Sequence, residues 1–227
     1  MKLMIAPEDQ QVIEPGYDVS RRRFFQLAGG MAGAGLFLAA CKGSKPTDTY
    51  IGSEDFALLN FIYILQQLEA DFYTQAVATP NLALTADELL LLTDVRDQEI
   101  AHKEFLQTLL AKSAVGAISP NFSSVTFIDR TSVLTFAAML EDLVLSGIIA
   151  ATTYFENQAY AVEFAKMATV EARHSAYFRD ILNYNSFADS TVIDSNGLNM
   201  AAVSPRTVLA TAENYIFTHY DSSKLPG

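Results

Sequence analysis

A buried-charge pattern occurs twice in this sequence and limits what the chain can fold into. Glu69 and Glu99 lie 30 residues apart, and so do Glu141 and Glu171. In each pair the second glutamate is followed three residues later by histidine, giving Glu99-x-x-His102 and Glu171-x-x-His174. Each of these glutamates interrupts an apolar stripe of helical period. Glu69 falls between Leu65 and Phe72, and Glu141 between Ala138 and Leu145. Positions three apart share a helix face, so each Glu and its His point the same way. An ionised carboxylate surrounded by hydrocarbon is very unfavourable unless it is paired or bound to metal. No Lys or Arg occupies the stripes, since Lys103 and Arg173 fall beside them. Two divalent cations would balance the four carboxylates. The histidines would add neutral nitrogen ligands, with their other ring nitrogen needing an acceptor. A lone Glu-x-x-His is weak, but two such motifs among only three histidines, with equal spacing back to a stripe-facing Glu, are specific.

The stripes predict an all-α fold. Segments at about 54–78, 85–113, 129–156 and 159–183 read as long helices. Thr79-Pro80-Asn81 breaks the first, and Thr85 to Glu88 reads as a capping start for the second. The stretch 114–128, with Gly116, Pro120 and Asn121, reads as a long connection. Helices of 25 residues are about 37 Å long at about 1.5 Å rise. Short, long, short joins give a four-helix bundle with one long crossover. After a polar loop at 183–203, Pro205 opens an additional C-terminal helix, expected to reach about Tyr220 and to pack on the bundle.

The segments Leu68 to Tyr73, Ala101 to Leu106, Leu140 to Leu143 and Val170 to His174 resemble the bacterial exported ferritin-like family often labelled desiccation-related. The resemblance covers about residues 54–184, leaving 185–227 outside the family pattern. It implies Glu69, Glu99, His102, Glu141, Glu171 and His174 as ligands of two metal ions. Glu99 and Glu171 would come nearest to bridging the ions, with Glu69 and Glu141 terminal. A carboxylate-rich, nitrogen-poor set favours Fe or Mn over Cu. Such a centre suits oxidation of Fe(II) or consumption of peroxide or O2 in stress protection. The alternative is a non-catalytic stress or desiccation-related bundle, and a third reading keeps the core carboxylates protonated or water-linked without metal. The pattern leaves the oligomer open. Tyr73 reads as a core residue within reach of a ligand, and His219 as a surface or packing residue. Glu104, Asp142, Glu156 and Glu163 fall off the stripes and are expected to be solvated.

The N-terminus reads as an address. Ser20-Arg21-Arg22-Arg23-Phe24-Phe25 resembles a twin-arginine export signal, with Arg21 and Arg22 as its pair. The apolar run from Leu27 to Ala40 is 14 residues long, and a membrane span needs about 20. The run ends Leu38-Ala39-Ala40-Cys41, which resembles a lipobox and implies cleavage before Cys41 and lipid on its sulfur. Residues 1–40 are then a signal peptide, and 41–53 a lipidated, flexible tether to the membrane. The expected location is the cell envelope, reached through the twin-arginine export machinery. Cys41 is the sole cysteine, so once lipidated it leaves no thiolate for metal or disulfides. A net charge of −11 argues against nucleic acid as a partner.

Overall fold

The computed structural model describes residues 48–199 and 203–227. The signal segment with Arg21 and Arg22, and the lipidation candidate Cys41, lie outside the described residues. Four long helices follow: α1 (Glu54–Ala78), α2 (Ala86–Leu110), α3 (Arg130–Thr152) and α4 (Gln158–Leu182), with a short α5 (Pro205–Ala212). Local chemistry sets most of the starts. Thr85 and Glu88 form a reciprocal capping box on α2. Asp129 and Asn157 accept from Thr131 N and Ala159 N at the starts of α3 and α4, and Ser204 caps α5 ahead of Pro205.

The helices pack as two hairpins, α1 with α2 and α3 with α4, joined through α1 against α3 and covered by α5. The inner pair, α1 and α3, is therefore buried around most of its circumference. The outer pair buries narrower stripes, such as Leu92, Val95, Leu106 and Leu110 on α2. Helix α3 is long and apolar enough to cross a membrane, yet 72% of its most apolar window is buried inside the bundle. Burial accounts for that composition.

Buried amides on α1 organise the long crossover. Asn60 donates to Ile51 O at 3.1 Å and Ser113 O at 2.9 Å, and accepts from Val115 N at 2.8 Å. Gln67 accepts from Ile118 N at 3.2 Å. A cluster of Phe72, Phe122, Phe127, Phe136 and Tyr215 rings seals the far end.

Three boundaries differ from the sequence expectation. Helix α3 stops at Thr152 because the Thr152 and Thr153 hydroxyls turn back on Ile149 O and Ala150 O, while Asp55 takes the N–H groups of Glu156 and Asn157. Helix α5 stops at Ala212, far short of Tyr220, and runs directly into a 3-10 turn at Glu213–Tyr215. The backbone groups that would have extended it are taken by neighbours: Phe217 N donates to Ser119 O, and Thr49 N donates to His219 O. Residues 49–51, expected to belong to a flexible tether, are held by the fold. Strand β1 (Thr49–Tyr50) pairs in parallel with β2 (Tyr220–Asp221), and Ile51 is fully buried.

Gly147 marks the closest approach of α1 and α5 to α3. A Cβ there would lie 2.9 Å from Phe61 Cζ and 3.0 Å from Val208 Cγ1. Gly147→Val is expected to cost about 2–3 kcal/mol through overpacking, read as a lower urea midpoint with unchanged slope. A variant as stable as the parent would contradict the packing described.

Glu88 also joins the hairpins. Arg130, at the start of α3, bonds both its oxygens through Nε at 3.1 and 3.0 Å. Those bonds, helped by Thr85 and opposed by burial, hold the Glu88 carboxyl down at about 2. The stabilisation is full above the ordinary glutamate range and is lost as pH falls through about 2. Arg130 is 36% exposed, so screening reduces the contribution to about 1–2 kcal/mol. Urea midpoints of the parent and Glu88→Gln are expected to differ by that amount at pH about 6 and to converge toward pH about 2. A constant gap would refute the assignment.

Candidate metal centre

The bundle brings all six sequence-predicted ligands to one place. Glu69 comes from α1, Glu99 and His102 from α2, Glu141 from α3, and Glu171 with His174 from α4. The four glutamates are 0% exposed, and His174 is 6% exposed. The inner helices supply one carboxylate each and the outer helices a Glu-x-x-His pair each.

The cluster built by α2, α3 and α4 is the more tightly focused. Glu99, Glu141, Glu171 and His174 each offer a ligand atom within 4.8 Å of the others. His174 Nδ1 lies 2.9 Å from Glu99 Oε1, and 3.5 Å from both Glu141 Oε2 and Glu171 Oε2. None of these contacts is aligned as a hydrogen bond, and all four atoms lack a hydrogen-bond partner. Buried polar atoms are paired in the great majority of cases. Four orphans converging on one point have the donor set and spacing of a cation site, so the residues fit a metal ion. Neighbouring bonds set the orientation. His174 Nε2 lies 3.1 Å from Gln98 Oε1, which leaves Nδ1 for the interior. Tyr73 OH donates to Glu141 Oε1 at 2.5 Å, which leaves Oε2 free.

In the other half, His102 Nδ1 lies 3.1 Å from both Glu99 Oε2 and Glu171 Oε1. Gln66 intervenes: its Nε2 donates to Glu69 Oε2 at 2.7 Å and to Glu171 Oε1 at 2.9 Å. Its Oε1 lies 3.0 Å from His102 Nδ1. Glu69 Oε1 is a fifth orphan.

Burial, reinforced by Glu171, Glu99 and Glu141, pushes the Glu69 carboxyl well above its ordinary range. Burial likewise lifts Glu141 to about 8, against the pull of His174. Burial would raise Glu171 too, but the nearby imidazoles of His102 and His174, at 3.1 and 3.5 Å, override it and hold the group at about 2. Burial opposes charge on the imidazoles. Glu171 and Glu99 nevertheless raise His102 to about 10, and Glu141, Glu171 and Glu99 raise His174 to about 12.

Two contributors were missed from the sequence, Gln66 and Gln98, and two more, Tyr73 and Asp142, were only partly read. Gln66 is uncharged and gave no charge signal, although a glutamine between Leu65 and Leu68 on a buried helix is itself anomalous. Gln98 is exposed and reaches inward only through its amide. Tyr73 is a fully buried core residue as expected, but its hydroxyl serves Glu141 on another helix. Asp142 is not simply solvated. It accepts from Ser175 Oγ at 2.5 Å and from Arg179 Nη1 at 2.7 Å, tying α3 to α4 directly behind Glu141 and His174. Glu156 and Glu163 are exposed, and Glu104 is half-buried. His219 lies on the surface, 3.5 Å from Glu213.

A search of curated proteins found no match to the sequence. The model of the ferritin-like domain family matches residues 54–184, from the first residue of α1 to just beyond the end of α4. That match takes in all six candidate ligands and more than half of the chain, and so the chain belongs to the ferritin-like family.

Proposed function

We propose that this protein is an exported, lipid-anchored member of the family that holds a pair of Fe or Mn ions and uses them to oxidise Fe(II) or to consume peroxide or O2. The observation that carries this reading is the convergence of His174 Nδ1, Glu99 Oε1, Glu141 Oε2 and Glu171 Oε2, all buried and none with a hydrogen-bond partner. Glu69 and His102 supply the remaining donors. When bound, such paired ions provide two-electron redox chemistry toward O2 or peroxide. The chain's own residues do the positioning. Tyr73 fixes Glu141, and Gln98 fixes His174. The Asp142–Arg179 pair holds α3 and α4 in register beside them. Phe72, Phe178 and the surrounding hydrocarbon exclude bulk water. The export and lipid anchor are supported by the Arg21-Arg22 pair and by a single cysteine closing a short apolar run.

The test uses the full chain isolated from the membrane fraction of its native host. Elemental analysis is expected to give about one to two Fe or Mn per chain, with turnover of Fe(II) or hydrogen peroxide. Metal without turnover favours the non-catalytic stress-protein alternative. Absence of metal overturns the proposal, and recovery of the chain only in the soluble fraction overturns the anchor.

A further inference from the structure

The duplicated pattern invites comparison of its halves. Every ligand in the first half has a counterpart 72 residues on: Glu69 with Glu141, Glu99 with Glu171, and His102 with His174. The same offset sets Gln66 against Ala138, whose methyl can form no hydrogen bond. Gln66 is 0% exposed and makes three contacts, each to a ligand candidate. Its two amide hydrogens go to Glu69 Oε2 and Glu171 Oε1, and its oxygen meets His102 Nδ1. Only the amide nitrogen can satisfy two carboxylates at once, which fixes the orientation of the group. Ala138 offers no such bonds beside Glu141, and four of the five site atoms without a hydrogen-bond partner collect around Glu99, Glu141, Glu171 and His174.

We propose that the two half-sites are inequivalent: in the half of Glu99, Glu141, Glu171 and His174 no amide stands between the ligand atoms, while the half of Glu69 and His102 is latched by Gln66. This inference rests on the metal-binding reading above and specifies its order of loading. A cation shared by Glu69 and Glu171 must displace the amide hydrogens that lie between them. His102 must also give up its bond to Gln66 Oε1 before Nδ1 can face the ion. The second ion therefore binds only the fraction of molecules in which the latch is open, and its apparent affinity falls by that fraction. Gln66 acts as a positioning residue that sets occupancy. It does so as a neutral group, so it adds no charge to the centre.

The test is anaerobic calorimetric titration of the metal-free full chain with Mn(II), with thermal melts to confirm that each variant folds. The parent is expected to bind in two steps separated by about tenfold or more. Gln66→Leu keeps the volume and removes the amide. It is expected to tighten the second step by about tenfold and leave the first unchanged. His174→Ala is expected to remove the tight step, and His102→Ala to remove only the weak one. Two equal steps in the parent, an unmoved second step in folded Gln66→Leu, or loss of the tight step in His102→Ala would each overturn the latch while leaving the metal reading intact. If Gln66→Leu does not fold, the two histidine variants decide the question. A parent that binds no Mn(II) at all overturns the metal reading and the latch with it.

Discussion

Glu171→Ala is expected to lower the stability of the metal-free protein by about 3–5 kcal/mol and to reduce metal affinity by about 100-fold or more. Glu171 is the hub of the buried network. It accepts from Gln66 at 2.9 Å, lies 3.1 Å from His102 Nδ1 and 3.5 Å from His174 Nδ1, and is wholly buried. The two imidazoles hold it ionised, and it holds them protonated. Deleting a partner from a buried ion-pair network is strongly destabilising, and here both imidazoles would be left to Glu99, with Glu141 the remaining carboxylate beside His174. Urea denaturation of the metal-free protein and Mn(II) titration read the two effects separately. Loss of affinity with unchanged metal-free stability would show that the hub organises metal but does not support the fold. A variant that keeps both properties would remove Glu171 from the centre altogether.

Removal of metal from the native protein is expected to lower its melting temperature by about 8–16 °C. The size follows from linkage. A ligand present at about 1,000 times its dissociation constant stabilises by about 4 kcal/mol, and a chain of this size shifts by about 2–4 °C per kcal/mol. The structural cause is local. Without an ion, five buried donor atoms have no hydrogen-bond partner, and Glu69 and Glu141 are pushed toward their protonated forms. Differential scanning calorimetry with and without chelator, followed by re-addition of Mn(II) or anaerobic Fe(II), measures the effect. Superimposable melts in all three conditions would mean that the centre satisfies itself with protons and takes no ion.

How far the site was legible depended on charge. Glu69, Glu99, Glu141 and Glu171 stood out because a carboxylate inside an apolar stripe violates the helical pattern, and the duplicated spacing made the violation systematic. Gln66 violates the pattern just as much, but a neutral amide carries so little weight that it passed unremarked. The bond from Tyr73 to Glu141 joins different hairpins, and periodicity along one helix says nothing about that. Asp142 looked solvated for the same reason, since its partner Arg179 sits on α4. The four long helices followed from their stripes and caps. The ends of α3 and α5 did not, because tertiary hydrogen bonds from Asp55, Ser119 and Thr49 decide where those helices stop.

The short pairing of Thr49–Tyr50 with Tyr220–Asp221 has a mechanical consequence. A pull applied to the folded domain at Asp48 would meet that strand pair first. The strand pair is backed by Ile51 and by Leu225, both seated in the core. A pull applied there would be shared with residues 220–225 before it reached α1, the helix that carries Gln66 and Glu69.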